Sequence, residues 1–337
     1  MKKEILYPAL LCLFSLTAVA QWTILDEIQD SAFPAWTLTQ SEGDFGLIIY
    51  QTDPLDHTNG VLLLSSQGQG LNRARTSAAL PLIHPIADGT VGTIYLRYWE
   101  EGNDREYNYG FSDLEITSDG KGGYTAPLEF DHFEGIVQMA PDRSKVFLRD
   151  GGIYNATSIN ESDNLAEING GIWHEVWMVV ENKIGTTEDQ YAIYIKGGAY
   201  TTQTRLHVAL NTGTSIDPVY EIFKDAAAFR NGTTDPIVTI LIKTISPLTE
   251  SYDDIVLFDR FAQAPGVELT SPPPFETPCA FAWDGLCPIN NDVDTSNWLG
   301  WINIQKRPWV YAYSLDSWIW INEANINDQG AWAYIRK

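Results

Sequence analysis

Trp173-His174-Glu175-Val176-Trp177-Met178-Val179-Val180-Glu181-Asn182, followed by Tyr191-Ala192-Ile193-Tyr194-Ile195-Lys196-Gly197-Gly198, is the stretch that decides the fold. Both runs are rich in β-branched and aromatic residues, which suit a pleated, half-buried strand. The second ends in two glycines, which permit a sharp turn. The spacing predicts a β-hairpin. Similar runs recur on either side: Gly46 to Tyr50, Val61 to Leu64, Gly92 to Tyr98, Lys145 to Leu148, Thr204 to Val208, Pro236 to Ile242 and Asp254 to Phe258. Turn-rich clusters separate them, such as Asp119-Gly120-Lys121-Gly122-Gly123 and Asn211-Thr212-Gly213-Thr214. Only Glu221 to Phe229 reads as a helical turn or two. Many short strands over residues 21–267 predict one all-β unit built as a β-sandwich.

The hairpin resembles the central hairpin of concanavalin A-like (laminin-G-like) jelly rolls. There a W-x-x-V-x-hydrophobic strand precedes one that ends in a Y-x-hydrophobic-x-G turn. Ser251-Tyr252-Asp253-Asp254-Ile255-Val256-Leu257-Phe258 resembles the closing strand of extracellular jelly rolls. That strand returns beside the N-terminal strand, here Trp22 to Glu27. The resemblance spans most of residues 21–265 and implies a lectin-like jelly-roll sandwich.

The N-terminus has the pattern of an export signal. Lys2 and Lys3 precede an apolar run from Ile5 to about Leu16, and Ala18-Val19-Ala20 has the small-x-small cleavage pattern. Cleavage is expected before Gln21. The run is too short to span a bilayer, and Leu11 stands where a lipid-attachment signal at Cys12 needs a small residue. The expectation is a protein that is secreted, at the cell surface or periplasmic, without an integral membrane segment. The two remaining cysteines, Cys279 and Cys287, are expected to form a disulfide closing a small loop.

The formal charge of -23 argues against nucleic acid and anionic membranes as partners. It also suits an acidic exoprotein that binds calcium. An acidic pair at each of two strands expected to be adjacent suggests Asp26, Glu27, Asp253 and Asp254 as oxygen ligands.

Beyond residue 267 the composition changes. Residues 268–278 include Pro272, Pro273, Pro274 and Pro278 and read as a stiff linker. Residues 279–337 then hold the expected disulfide loop and a small tryptophan-rich module. In it Trp309-x-Tyr311, Trp318-x-Trp320 and Trp332-x-Tyr334 put two rings on one face of each short strand. Such rings serve equally as the core of a small unit or as a platform on which sugars stack. Gly300-Trp301 and Gly330-Ala331-Trp332-Ala333-Tyr334 resemble pieces of bacterial cell-wall-binding repeats, though the spacing departs from their period. The tail resembles Trp-rich C-terminal modules of proteins secreted by environmental bacteria.

Catalytic signatures are sparse. The E-x-D-x-x-E strand of a retaining glycosidase on such a scaffold is missing, with Asp113-Leu114-Glu115 the nearest approach. Tyr194-Ile195-Lys196-Gly197-Gly198-Ala199-Tyr200 resembles part of an alginate-lyase strand, but Gln138-Met139-Ala140 lacks the histidine of its companion. No G-x-S-x-G supports a serine nucleophile. His57, His84, His132, His174 and His207 are dispersed without metal-ligand spacing and read as packing or surface residues.

The leading expectation is therefore a non-catalytic protein that binds a polysaccharide or cell-surface glycan, or attaches to a surface. Two alternatives stand beside it: a polysaccharide-degrading enzyme with an unrecognised site on the sandwich, and a structural exoprotein without a small ligand. The ligand-binding candidates are Trp99, Tyr107 and Tyr109 in the polar, aromatic segment 98–109, and Trp301, Trp309 and Trp318 in the tail.

Overall fold

The computed structural model describes residues 22–26, 36–41, 46–52, 60–66, 75–100, 107–118, 124–125, 130–139, 145–159, 161, 165–185, 188–214, 218–245, 254–273, 292–294, 301–306, 309–312, 314–315, 317–321 and 333–336. The expected export signal, Glu27, Asp253, residues 101–106, Cys279 and Cys287 lie outside them.

The chain begins with β1 (Thr23–Asp26), β2 (Thr37–Ser41), β3 (Gly46–Thr52), β4 (Gly60–Ser66), β5 (Arg75–Ile86) and β6 (Thr90–Glu100). Next come β7 (Tyr107–Ser112), β8 (Thr117–Ser118), β9 (Tyr124–Thr125), β10 (Gly135–Met139), β11 (Val146–Asp150) and β12 (Ile153–Ser158). The sandwich is completed by β13 (Trp173–Asn182), β14 (Gln190–Gly197), β15 (Tyr200–Asn211), β16 (Tyr220–Lys224), β17 (Ala227–Ala228), β18 (Ile237–Ile245) and β19 (Asp254–Pro265). Five strands follow: β20 (Asp292–Asp294), β21 (Trp301–Lys306), β22 (Trp309–Ala312), β23 (Ser317–Ile321) and β24 (Ala333–Arg336).

Two antiparallel sheets pack face to face. In sheet A the order is β3-β4-β19-β6-β13-β14-β15. In sheet B it is β2-β5-β18-β7-β10-β11-β12-β15-β16. Strand β15 belongs to both. It pairs with β14 as far as Leu206, opposite Ile193, and with β12 from His207, opposite Ser158. The expected hairpin is β13–β14, with Val176 opposite Ile195 and Met178 opposite Ile193. Its closing turn needs glycine: Gly197 has φ 130°, and a Cβ there would lie 2.4 Å from the Trp173 carbonyl oxygen.

Period-2 alternation fills the space between the sheets. Leu62, Leu64, Ile94, Leu96, Val176 and Met178 from sheet A meet Leu80, Phe111, Val137, Leu148, Ile240 and Ile242 from sheet B. Each such aliphatic or aromatic side chain contributes roughly 1.5–3 kcal/mol on burial.

The closing strand is longer than expected. Its first half, Asp254 to Phe258, pairs with β4, and its continuation pairs with β1, Thr23 lying opposite Gln263. Two further expectations are corrected. The stretch read as helical is β16 and β17, because Tyr220 to Lys224 hydrogen-bonds to the edge that β15 offers beyond the sheet crossing. The stretch read as a stiff linker begins as a strap, since residues 269–273 are hydrogen-bonded to the outer face of sheet A.

That face needs a cover because it is apolar: Tyr95, Trp177 and Ala262 form a cluster with Trp22, Ile24, Tyr194 and Leu269 packed against it. The strap supplies acceptors as well as bulk. The Trp177 indole N–H donates to the Thr270 carbonyl at 3.0 Å, and the Gln203 amide donates to the Leu269 carbonyl at 2.7 Å. Ser271 donates to Glu175 at 2.6 Å, and an Arg260 guanidinium N–H donates to the Pro273 carbonyl at 3.0 Å. Among the described residues no helix is long and apolar enough to cross a membrane.

Candidate functional site

The five C-terminal strands form a separate antiparallel sheet ordered β20-β21-β22-β23-β24. Its two faces differ in chemistry. On one, Val310 stands opposite Ile319, which stands opposite Ile335, and Ala312 lies one step along. On the other, Trp309 stands opposite Trp320 and Tyr311 opposite Trp318, with Trp320 opposite Tyr334 on the far side. The aliphatic face is the buried one, with Ala312 0% and Ile319 1% exposed. Trp309 is 36% exposed, and Tyr311 and Trp318 are half-buried. Their rings lie 5.2 Å apart at 60°.

Trp309, Tyr311 and Trp318 are therefore not on the buried side of this sheet. Among the described side chains, Trp309, Tyr311 and Trp318 make this face partly open. Trp301 lies in β21 opposite Asp294.

The sandwich candidates separate. Tyr98 points inward and Trp99 outward, as alternation in β6 requires. Trp99 is half-buried beside Trp173, its cross-strand partner, and both pack on Val61, Leu63 and Leu257. Arg97 lies 4.7 Å from the Trp173 ring centroid and pairs with Asp259 at 3.2 Å. Tyr107 and Tyr109 are corrected. The segment expected as a ligand loop contains the start of β7, a central strand of sheet B, and both rings face the core with 0% and 1% exposure. Burial raises both hydroxyls above the ordinary phenol range. They pack against Tyr98, which stacks on His174 at 5.5 Å. Neither tyrosine offers a surface to a ligand.

Of the expected calcium ligands, Glu27 and Asp253 lie outside the described residues, and Asp26 and Asp254 are not brought together. Asp26 is opposite Phe261 on β19, whereas Asp254 is opposite Ser66 at the other end of that strand. Seven residues of strand between Asp254 and Phe261 span roughly 23 Å, so the two carboxylates cannot share one ion. Asp26 instead accepts a hydrogen bond from the Trp36 indole.

Two arrangements escaped the sequence reading. Across sheet B, Ser77, Lys243, Asn108 and Gln138 stand in one register row on the outward face. Lys243 Nζ sits 4.7 Å above the Phe130 ring, and the buried Asn108 amide makes no hydrogen bond through either atom. At the edge where β15 changes sheets, Glu161, His207 and Asp225 bring one ligand atom each to within 4.8 Å of one another. Both groups join residues from distant strands, so neither leaves a motif in the sequence.

No protein family and no curated protein matches the sequence. Among solved structures, the chain is similar to an endo-β-1,4-glucuronan lyase from the fungus Trichoderma reesei, at 11% identity over 70% of this chain and 93% of that one, TM-score 0.41. It is similar to the carbohydrate recognition domain of Emp46p, at 11% identity over 74% and 100% of the two chains, TM-score 0.38. A third likeness is to lectin UEA-II complexed with galactose, at 9% identity over 68% and 99%, TM-score 0.35.

Proposed function

We propose that this is an exported, non-catalytic glycan-binding or surface-attachment protein, and that its sugar platform is the aromatic face of the C-terminal sheet. One observation carries the reading: in a sheet whose aliphatic side is buried, Trp309, Tyr311 and Trp318 occupy the other, partly open side. Rings turned outward leave apolar area in water, and a sugar that covers it recovers the hydrophobic contribution while keeping its hydroxyls solvated. Trp301 and Trp99 are secondary members of the set. A glycoside hydrolase or lyase reading finds less support. The outward row on sheet B supplies an ammonium, two amides and a hydroxyl, but Ser77, Asn108 and Lys243 are buried, and the row contains neither a carboxylate nor a histidine to move a proton.

The test is affinity electrophoresis in gels cast with neutral or acidic polysaccharides, comparing the folded wild type with Trp309→Ala, Trp318→Ala, Trp301→Ala and Trp99→Ala. The expected result is retardation of the wild type by at least one polysaccharide and its loss in the Trp309 and Trp318 variants. A wild type retarded by none of the gels would leave the structural exoprotein as the better reading. Retardation that both substitutions leave unchanged would remove the aromatic face as the sugar platform.

A further inference from the structure

We propose that Glu161, His207 and Asp225 form a site for one divalent transition-metal ion, with zinc as the fitting case, where β15 passes from sheet A to sheet B. His207 is the first residue of β15 paired on the sheet B side, and its side chain is 16% exposed. The backbone at His207 pairs with β12, and from Val208 onward the strand also pairs with β16. Asp225 follows β16 directly. Its backbone carbonyl accepts from Arg205 Nε at 3.1 Å and Nη2 at 2.8 Å, which anchors the turn that presents its carboxylate. Glu161 follows β12 and has φ 51°, the one non-glycine residue with positive φ among those described.

Carboxylates from two chain segments converge on one ring nitrogen of the third ligand, His207. Asp225 Oδ1 lies 3.1 Å and Glu161 Oε1 3.8 Å from His207 Nδ1. Two ligand atoms each about 2.1 Å from a tetrahedral zinc are about 3.4 Å apart. The observed separations straddle that value, so small side-chain rotations seat the ion. Among the described residues, the charged group facing the cluster apart from the ligands is Arg205, whose Nη1 lies 3.6 Å from Asp225 Oδ2. Lys224, the neighbour of Asp225, is engaged with Asp150 at 2.6 Å. Two carboxylates against one guanidinium leave a local negative charge for a cation to offset.

The donor set selects the metal. One imidazole and two carboxylates suit zinc or a neighbouring first-row ion, and three protein ligands leave a fourth position for water. Calcium requires six to eight oxygens, which two carboxylates do not supply. A bound ion would tie the segments after β12 and β16 to the strand shared by the two sheets.

Isothermal titration of the whole chain with zinc chloride tests the proposal, with calcium chloride as the control and cobalt(II) as a spectroscopic substitute. The expected result is one zinc per chain, weakened at least tenfold by His207→Ala, and visible absorption bands of bound cobalt that the same substitution removes. Asp225→Asn and Glu161→Gln keep the shape of the side chains and should weaken zinc in the same direction if His207→Ala misfolds. A wild type that takes up no zinc overturns the site. So does zinc binding that survives all three substitutions, and so does calcium binding as tight as zinc.

Discussion

The outer face of sheet A and the aromatic face of the C-terminal sheet carry similar side chains and treat them in opposite ways. On sheet A, the Trp177 indole is 1% exposed and hydrogen-bonded to the strap, while the Trp22 ring packs on Tyr95 at 5.8 Å and its N–H reaches Thr270. On the C-terminal sheet, Trp309 is 36% exposed, and it is the aliphatic side that is buried. An outward-pointing tryptophan is thus not in itself a ligand platform. What marks sheet A is that the chain returns to cover its rings and brings an acceptor for the Trp177 N–H. Residues 269–273 do both.

The largest effect that comparison implies is at Trp177. Its replacement by alanine removes a buried ring and leaves the strap without its central contact, so a loss of roughly 3–5 kcal/mol is expected in urea unfolding. Polysaccharide retardation of whatever remains folded should be unchanged. A loss below about 1 kcal/mol would break the distinction between covered and open rings.

The opposite face of the same strand sharpens it. His174 is as buried as Trp177, yet neither ring nitrogen reaches a well-formed hydrogen bond. Burial lowers its pKa from 6.5 to about 4, and a weak backbone contact with Ile172 offsets only part of the shift. The unfolded chain therefore takes up a proton near pH 6.5 that the folded chain refuses until about pH 4. Stability should fall as the pH drops through that window, by roughly 3 kcal/mol from this group. In His174→Phe the corresponding part of the slope should vanish, with little loss at neutral pH because two unpartnered nitrogens are removed. Parallel pH profiles for wild type and variant would contradict the account.

The smallest expected effect on stability belongs to Trp309. Because the ring is partly open, Trp309→Ala should alter unfolding by no more than about 0.5 kcal/mol, while removing retardation by polysaccharide. A large loss of stability would identify the ring as part of a core and bring the two regions back together.

The architecture was legible where period-2 patterns run long. The β13–β14 hairpin, β19 with its return to β1, and the open-or-core ambiguity of the tail all follow from residue spacing. What remained hidden depends on contacts between distant segments. Nothing local in Tyr107-x-Tyr109 distinguishes a strand's inward rings from a loop's exposed ones; only the pairing of β7 between β18 and β10 does. Asp26 and Asp254 stand apart because β19 is long enough to meet β1 and β4 at opposite ends, a matter of register that residue spacing does not give. His207 looked isolated because its companions arrive from the ends of β12 and β16. The strap looked like a spacer because proline-rich composition describes stiffness but not what the segment rests on.

The strap also sets how force would pass through the molecule. Tension pulling the chain away from the sandwich at its C-terminal end arrives first at Pro273, and the contacts of Arg260, Ser271, Trp177 and Gln203 follow one after another toward β19. Bonds met in sequence yield singly, like a seam opened from one end, whereas the rungs joining β19 to β6 and β4 resist together. A tethered protein of this design would pay out several residues of slack before its fold felt the pull, and would re-dock that slack when the pull relaxed.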